Sequence, residues 1–477
     1  MRPRTLLVLL VIVLGLGAFI WFYERELPSS EQRAELEKRV LTDVEKDDVT
    51  AVTLQGAKGT VRLERVEAPT PATEEKEEEE DGDEAGEETP EVEWRIVQPL
   101  TARADTFAVD RLLDSVITLE KTRTIEDADR KAVGLDKPRA TVRLATKEAE
   151  KVLQLGAGVP TGGSIIAGVE GRDDAYVVSE SILLELDKDP GEWRDRTIFR
   201  GDRDKVSRIT LAGANGRVVL AKRPDGLWIE APLKDRADRN LVDALLSDLT
   251  GLTAERFVDN PGPLPELGLA PAQQVVEVAL EGQAAPLRIE LGAPATSGEA
   301  APEGEMGGAL AYARAGGTVF ETRTRLAESA NRPPAEWRAL GLSGLEVHDV
   351  EAATVKEGNA TIELTRAGTD WKRGDTTISY LPVSDLLFAV TDARAERLLP
   401  PAEAKTLNLA NHALVITLKT KEAGEETLSL YPAMSQGVPA RASGREAVLL
   451  LPAEALQQIR QKLKDVREAK AVAAAAE

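Results

Sequence analysis

One segment of this chain occurs more than once, and that repetition limits the fold more than any other feature. From Glu93 the sequence reads EWRIVQPLTARADTFAVDRLLDSVITLEKTRTI, and from Leu227 it reads LWIEAPLKDRADRNLVDALLSDLTGLTAERFV. Both copies hold a Trp (Trp94, Trp228), a Pro-Leu pair (Pro99-Leu100, Pro232-Leu233) and the triplet Arg-Ala-Asp (103–105, 236–238). Val109, Leu112, Leu113 and Val116 match Val242, Leu245, Leu246 and Leu249. Trp94 and Trp228 each stand 40 residues ahead of a Gly-Leu pair, Gly134-Leu135 and Gly268-Leu269. A third, worn copy runs through Trp371, Leu381-Pro382-Val383, Leu386, Leu387, Val390, Arg397 and Leu407-Asn408-Leu409, without the triplet.

In each copy the apolar residues recur at i, i+3, i+4 and i+7, which predicts a helix with one buried stripe. Asp105 and Asp238 stand where an N-cap accepts the first free backbone amides. Around the helices the period changes to two. Val206–Ala212 and Gly216–Lys222 flank a Gly-Ala-Asn turn, and paired runs come after each Gly-Leu, as in 140–145 with 151–155, 275–280 with 287–291 and 413–418 with 426–430. A short helix such as Ser181–Leu186 then closes the unit, and Trp193-Arg194 and Trp337-Arg338 mark the joints to the next unit. The third unit is expected to end in a helix opened by Pro452. Each unit reads as meander, helix, second meander. The fold class is therefore α+β, with one N-terminal transmembrane helix followed by three tandem antiparallel-sheet-plus-helix modules.

Thr5 to Tyr23 carries no charge, and 19 residues span about 28 Å as a helix, close to the hydrocarbon thickness of a bilayer. Arg2 and Arg4 precede it and Glu24-Arg25-Glu26 comes after it, which keeps the N-terminus in the cytoplasm. A cleaved signal peptide would end in small residues, whereas Trp21, Phe22 and Tyr23 close this run as an interfacial anchor. The expected layout is 1–4 cytoplasmic, 5–23 signal anchor, 24–47 charged solvated stalk, 48–200 module 1, 201–342 module 2, 343–467 module 3 and 468–477 loose tail. Module 1 carries an acidic insertion, 67–93. Glu74 to Glu93 holds 13 acidic residues and one Lys, so -12 of the chain's net -22 lies there. Lengthening a hairpin turn from about 4 to about 27 residues costs only ~1.7 kcal/mol. The tract is expected to be a disordered, tolerated insertion.

Composition closes several routes to chemistry. Cys is absent and His occurs twice, which removes thiol catalysis, disulfides and Cys/His zinc sites. No Gly-Lys pair exists, so there is no phosphate-binding P-loop, and neither Gly-x-Ser-x-Gly nor Ser-x-x-Lys occurs. Gly156-Ala-Gly158 leads toward a strand, so it reads as a hairpin loop rather than a dinucleotide fingerprint. His412, in phase with Leu414, Ile416 and Leu418, is expected to be a partly buried structural residue. The recurrence of Trp94, Trp228 and Trp371 points to core packing over ligand stacking. No catalytic, cofactor or metal residue is predicted, and the acidic charge and missing basic stripe speak against nucleic acid.

The anchor, the repeated Trp, Pro-Leu and Arg-Ala-Asp pattern, the Gly-Leu pair and the Trp-Arg joint resemble the bacterial membrane-anchored repeat family catalogued as domain of unknown function 4340. The similarity runs from about Asp48 to Lys464. The resemblance implies genomic company: such proteins are often encoded beside ABC-type transport systems similar to the gliding-motility auxiliary kind. It brings no catalytic residues. The expectation is a non-enzymatic subunit in the bacterial inner membrane, single-pass, its bulk periplasmic, with a membrane permease or other envelope proteins as partners and no nucleotide bound. The alternative is a stand-alone cell-envelope scaffold.

Overall fold

The computed structural model describes residues 35–67, 92–160, 162–224, 226–295, 309–421 and 424–471. The apolar run with Trp21, Phe22 and Tyr23, most of the acidic insertion and the end of the tail lie outside the described residues. Among the described residues no helix is long and apolar enough to cross a membrane. These residues fall into two compact units, one ending at Arg196 and the other beginning at Thr197.

The first unit holds module 1. Its strands are β1 (Val49–Gly56), β2 (Gly59–Glu67), β3 (Val92–Gln98), β4 (Ala102–Arg103), β5 (Lys121–Ile125), β6 (Ala140–Thr146), β7 (Glu150–Gly158), β8 (Ser164–Val169) and β9 (Ala175–Ser179), with helices α1 (Thr106–Ile117) and α2 (Ile182–Leu186). The strand order is β4-β3-β2-β1-β6-β7-β8-β9-β5, antiparallel throughout. Two four-stranded meanders thus meet at their first strands, β1 against β6.

Helix α1 connects strands at the two ends of that order. A flat sheet of this size would be about 38 Å wide, whereas the 12 residues of α1 cover about 18 Å. A sheet that curls around the helix meets both lengths, and long twisted sheets do curl. The helix buries Val109, Leu112, Leu113 and Val116 in the same core as Trp94 and Trp193.

The second unit repeats this order twice. Module 2 comprises β10 (Val206–Gly213), β11 (Gly216–Arg223), β12 (Gly226–Ala231), β13 (Asp235–Arg236), α3 (Arg239–Thr250), β14 (Arg256–Phe257), β15 (Gln274–Leu280), β16 (Leu287–Pro294), β17 (Leu310–Ala315), β18 (Thr318–Arg323) and α4 (Arg325–Ala330). Module 3 comprises β19 (Val350–Glu357), β20 (Ala360–Ala367), β21 (Asp370–Arg373), β22 (Thr376–Ile378), α5 (Tyr380–Thr391), β23 (Arg397–Leu399), α6 (Pro401–Ala404), β24 (Leu414–Thr420), β25 (Glu425–Leu430), β26 (Val438–Ala442), β27 (Val448–Leu451) and α7 (Ala455–Glu468). Both sheets have nine strands in the same sequence of neighbours as module 1, and each module has its own apolar core.

The repeated motifs have distinct physical jobs. Asp105 accepts the amide of Ala108 at 3.1 Å and Asp238 that of Leu241 at 3.3 Å, so both cap their helices. Ser379, at the same place before α5, makes no such bond. Asp105→Ala and Asp238→Ala are each expected to cost about 1 kcal/mol, and Ser379→Ala close to nothing, read as shifts of the urea unfolding midpoint. Gly134 and Gly268 hold positive φ of 75° and 66°. A Cβ there would come within 2.9 Å of Ala157 N and 2.7 Å of Ala293 N, so the turn closes against the neighbouring strand only with glycine.

Chain passage through each module is also repeated. Before the first strand, a lead-in segment pairs with residues just after the helix: Val40 N–H donates to Leu119 O (2.9 Å), Ile198 to Leu252 O (3.1 Å) and Leu342 to Ala393 O (2.8 Å). At the other end of the helix the Arg-Ala-Asp triplet pairs with the Trp-Arg joint. Asp105 N–H donates to Trp193 O and Asp238 N–H to Trp337 O, both at 2.8 Å, and Ala104 and Ala237 bridge Arg194 and Arg338. In module 3, which has neither motif, Ile378 bridges Ala471 beyond α7, and Arg373 donates to the carbonyls of Arg467 (2.7 Å) and Ala469 (3.3 Å). In module 3 the segment beyond α7 thus takes the place of the joint.

Three expectations need correction. Residues 40–44 are not part of a solvated stalk, because Val40, Leu41 and Val44 are buried in the core of module 1. His412 is exposed and leans on the Tyr431 ring at 5.1 Å, since β24 begins only at Leu414. Helix α7 begins at Ala455, so Pro452 lies ahead of it.

Candidate functional site

The predicted positions do not converge on one pocket: Trp94 and Trp371 belong to the cores of modules 1 and 3, whereas Trp228 faces the junction of modules 2 and 3, with Arg236 over its ring at 5.1 Å. Trp94, Trp228 and Trp371 are buried in modules 1, 2 and 3, and Trp193 and Trp337 are buried at their joints. Arg223 lies over the Trp228 ring at 4.4 Å, Arg366 over Trp371 at 5.4 Å, and Lys188 over Trp193 at 4.9 Å. These contacts pack a cation's stem and charge on each indole face. Among the described residues no group of three or more His, Asp or Glu is placed to hold a metal ion.

What does converge, inside the second unit, is the junction of modules 2 and 3. Asp235 of β13 has no exposed surface. It accepts from Arg338 at the joint (2.6 Å) and from Arg445 in the β26–β27 turn (2.5 Å). Arg445, its side chain wholly buried, also donates to Gly341 O and Ala339 O, both at 2.6 Å. Burial pulls its guanidinium below the ordinary value, and the Asp235 carboxylate opposes that shift. Next to it Arg236 pairs with Glu426 of β25 at 2.8 Å, and Ser343 donates to the other Glu426 oxygen. The Arg236 guanidinium lies against Gly344, where a Cβ would come within 2.1 Å of its central carbon and would make the side chain shift. Two ion pairs therefore cross the junction, Asp235 with Arg445 and Arg236 with Glu426, and fix the relative placement of modules 2 and 3.

Beside this network is a cavity of about 650 Å³. Val242 and Leu246 of α3 form its apolar floor, with Leu345 and Val347 of the linking segment and Phe388 of α5. Val242 and Leu246 are 7% and 8% exposed, whereas their equivalents Val109, Leu113, Val383 and Leu387 are at most 1% exposed. The core stripe of module 2 is the one opened toward solvent. At the rim Arg203 pairs with Asp243 and Arg239 with Glu346, both at 2.6 Å. Arg239 and Leu345 also line a neighbouring polar cavity of about 510 Å³. An apolar floor with a paired, charged rim suits holding a ligand or peptide.

Sequence reading found Arg236 and Arg338 only as letters of a motif and missed Asp235, Glu426 and Arg445. Glu426 had a signal, being in phase with the inward Leu428 and Leu430 of its strand. Arg445, in a turn, had none.

Three copies of one curled-sheet module in tandem define a repeat protein. The family described as Domain of unknown function (DUF4340) matches at residues 94–272 and 228–412, well over half of the chain, and the chain belongs to that family. Each match starts at a module's Trp and runs into the next module, so the family's frame is out of phase with the sheets. No curated protein matches the chain.

Proposed function

We propose that this protein is a non-enzymatic, membrane-anchored accessory subunit of an ABC-type transport system of the gliding-motility auxiliary kind. In this reading Thr5–Tyr23 holds it in the bacterial inner membrane, and its modules lie outside the cytoplasm and bind a permease, another envelope protein or a substrate. The observation that carries it is the order of parts: one uncharged apolar run, then three copies of a module whose repeated residues serve packing and capping. The charge-locked junction of modules 2 and 3 supports a presenting frame over a hinged catalytic cleft, and the transport partner rests on the resemblance alone. A stand-alone envelope scaffold is the second reading, favoured by the buried ion pairs that lock that junction from within.

Affinity capture from detergent-solubilised membranes tests the two. The intact protein is expected to bring down a permease or ATPase subunit that is lost when the modules are removed and kept when the anchor is exchanged. Capture of neither subunit, with intact and anchor-exchanged proteins behaving alike, refutes the transport reading and leaves the scaffold.

A further inference from the structure

In each module the turn between the first two strands is fastened to the closing segment, and the three fastenings differ in chemistry. In module 1 Lys58 pairs with Asp189, beyond α2, at 3.5 Å. In module 3 Glu357 pairs with Arg460 (2.8 Å) and Arg467 (2.9 Å) of α7. Module 2 uses two asparagines: Asn215 Nδ2 donates to Asn331 O at 2.8 Å, and the Asn215 N–H donates to Asn331 Oδ1 at 3.4 Å. The turn lies close against the end of α4. A Cβ at Gly213 would come within 3.0 Å of Ala330 O and Asn331 Oδ1, and one at Gly216 within 3.2 Å of Pro334.

Asn215 is exposed, and with Gly216 it forms the one Asn-Gly pair of the sequence. Glycine has no side chain to crowd its backbone nitrogen. Addition of that nitrogen to Asn215 Cγ forms an N–C bond and breaks the bond from Cγ to Nδ2. The nitrogen's proton leaves with Nδ2 as ammonia, and a cyclic imide remains. Solvent water then opens the imide at either carbonyl, to aspartate or isoaspartate. The balance needs no oxidant, reductant or cofactor.

We propose that Asn215 is a site of spontaneous deamidation and that its bonds to Asn331 set the rate. While Asn331 O holds Nδ2, the carboxamide is kept from swinging onto Gly216 N, so the fastened turn is the slow state. The product undoes the fastening. An aspartate side chain only accepts, and it would meet the Asn331 carbonyl with no proton between them. Isoaspartate also lengthens the main chain by one atom beside the Gly213–Gly216 ladder pair. Module 2 is singled out, because the matching positions hold Lys58 in module 1 and, in module 3, Asn359 followed by Ala360.

Peptide mapping by mass spectrometry tests this on the full chain aged in mildly alkaline buffer, folded and in urea. Conversion at Asn215 is expected to be slow in the folded chain and fast in the unfolded one. Gly213→Val, whose side chain pushes the turn off Ala330 and Asn331, should speed the folded-state reaction about three- to tenfold, the range that one neutral hydrogen bond covers. Asn331→Ala removes one of the two bonds and should act in the same direction; it decides the matter if the urea midpoint shows that Gly213→Val has not folded. Asn215→Asp is expected to lower the urea midpoint, and Asn359→Asp to leave it unchanged. No conversion in the unfolded chain refutes the site. A folded wild type as fast as the unfolded chain, or folded variants as slow as wild type, refutes control by Asn331, and an unchanged midpoint for Asn215→Asp refutes the loss of the fastening.

Discussion

Arg445→Met is expected to destabilise the second unit by about 3–5 kcal/mol, the usual cost of removing one partner from a buried ion pair. The side chain is completely enclosed and makes bonds to Asp235, Ala339 and Gly341. Methionine restores volume but no donors, so two carbonyls and one carboxylate oxygen lose their partners at once. Arg338 still holds Asp235 at 2.6 Å, which puts the loss at the lower end. The double variant Asp235→Ala/Arg445→Met should be more destabilised than the single one, because Arg338, largely buried, then loses its carboxylate as well. Urea unfolding of the full chain, monitored by tryptophan fluorescence, reads both. A single variant that unfolds at the wild-type midpoint would mean that water reaches the junction and the modules are not locked.

Trp337→Ala is expected to cost about 3–5 kcal/mol, as for other buried aromatic truncations. The indole is packed into the core of module 2 with Arg332 over its face at 5.9 Å. Its backbone carbonyl also holds Asp238, the cap of α3, so a cavity at this point loosens the cap as well as the core. Trp337→Phe should lose far less, because the indole N–H makes no hydrogen bond to the protein and its removal strands no acceptor. Trp193 offers the same comparison in the first unit. If alanine and phenylalanine cost the same at either site, the ring is not filling space there and the packing argument fails.

The parts of this fold that could be read from sequence are those where one residue type has one physical use. Asp before a 3.6-residue period is a cap, and Gly where the backbone turns left-handed against a strand leaves little choice. Alternation located most strands because one face of each sheet is buried. Strands β4 and β13 pair with the adjacent β3 and β12, and at two residues each they are too short to show alternation. The lead-in segment was misread for a related reason. Its apolar residues are separated by Thr42 and Asp43 and neighbour a charged run, and only the tertiary pairing with Leu119 and Lys151 shows that it belongs to the module. The junction of modules 2 and 3 was half legible: an inward Glu in a strand signals a buried partner, but nothing local says which Arg, from which turn, supplies it.

The meeting of the two meanders at β1 and β6 has an ancestral implication. Antiparallel pairing of like strands is what a two-fold axis produces, so each module has the form of two subunits fused into one chain, each a four-stranded meander followed by a helix. Half a module is then the smallest repeated piece, and the three modules of the described residues hold six of them. Fragments cut at the family's own limits begin at a Trp strand and discard β1 and β2, so β6 loses its whole pairing at that axis; fragments that begin at the lead-in segment keep it.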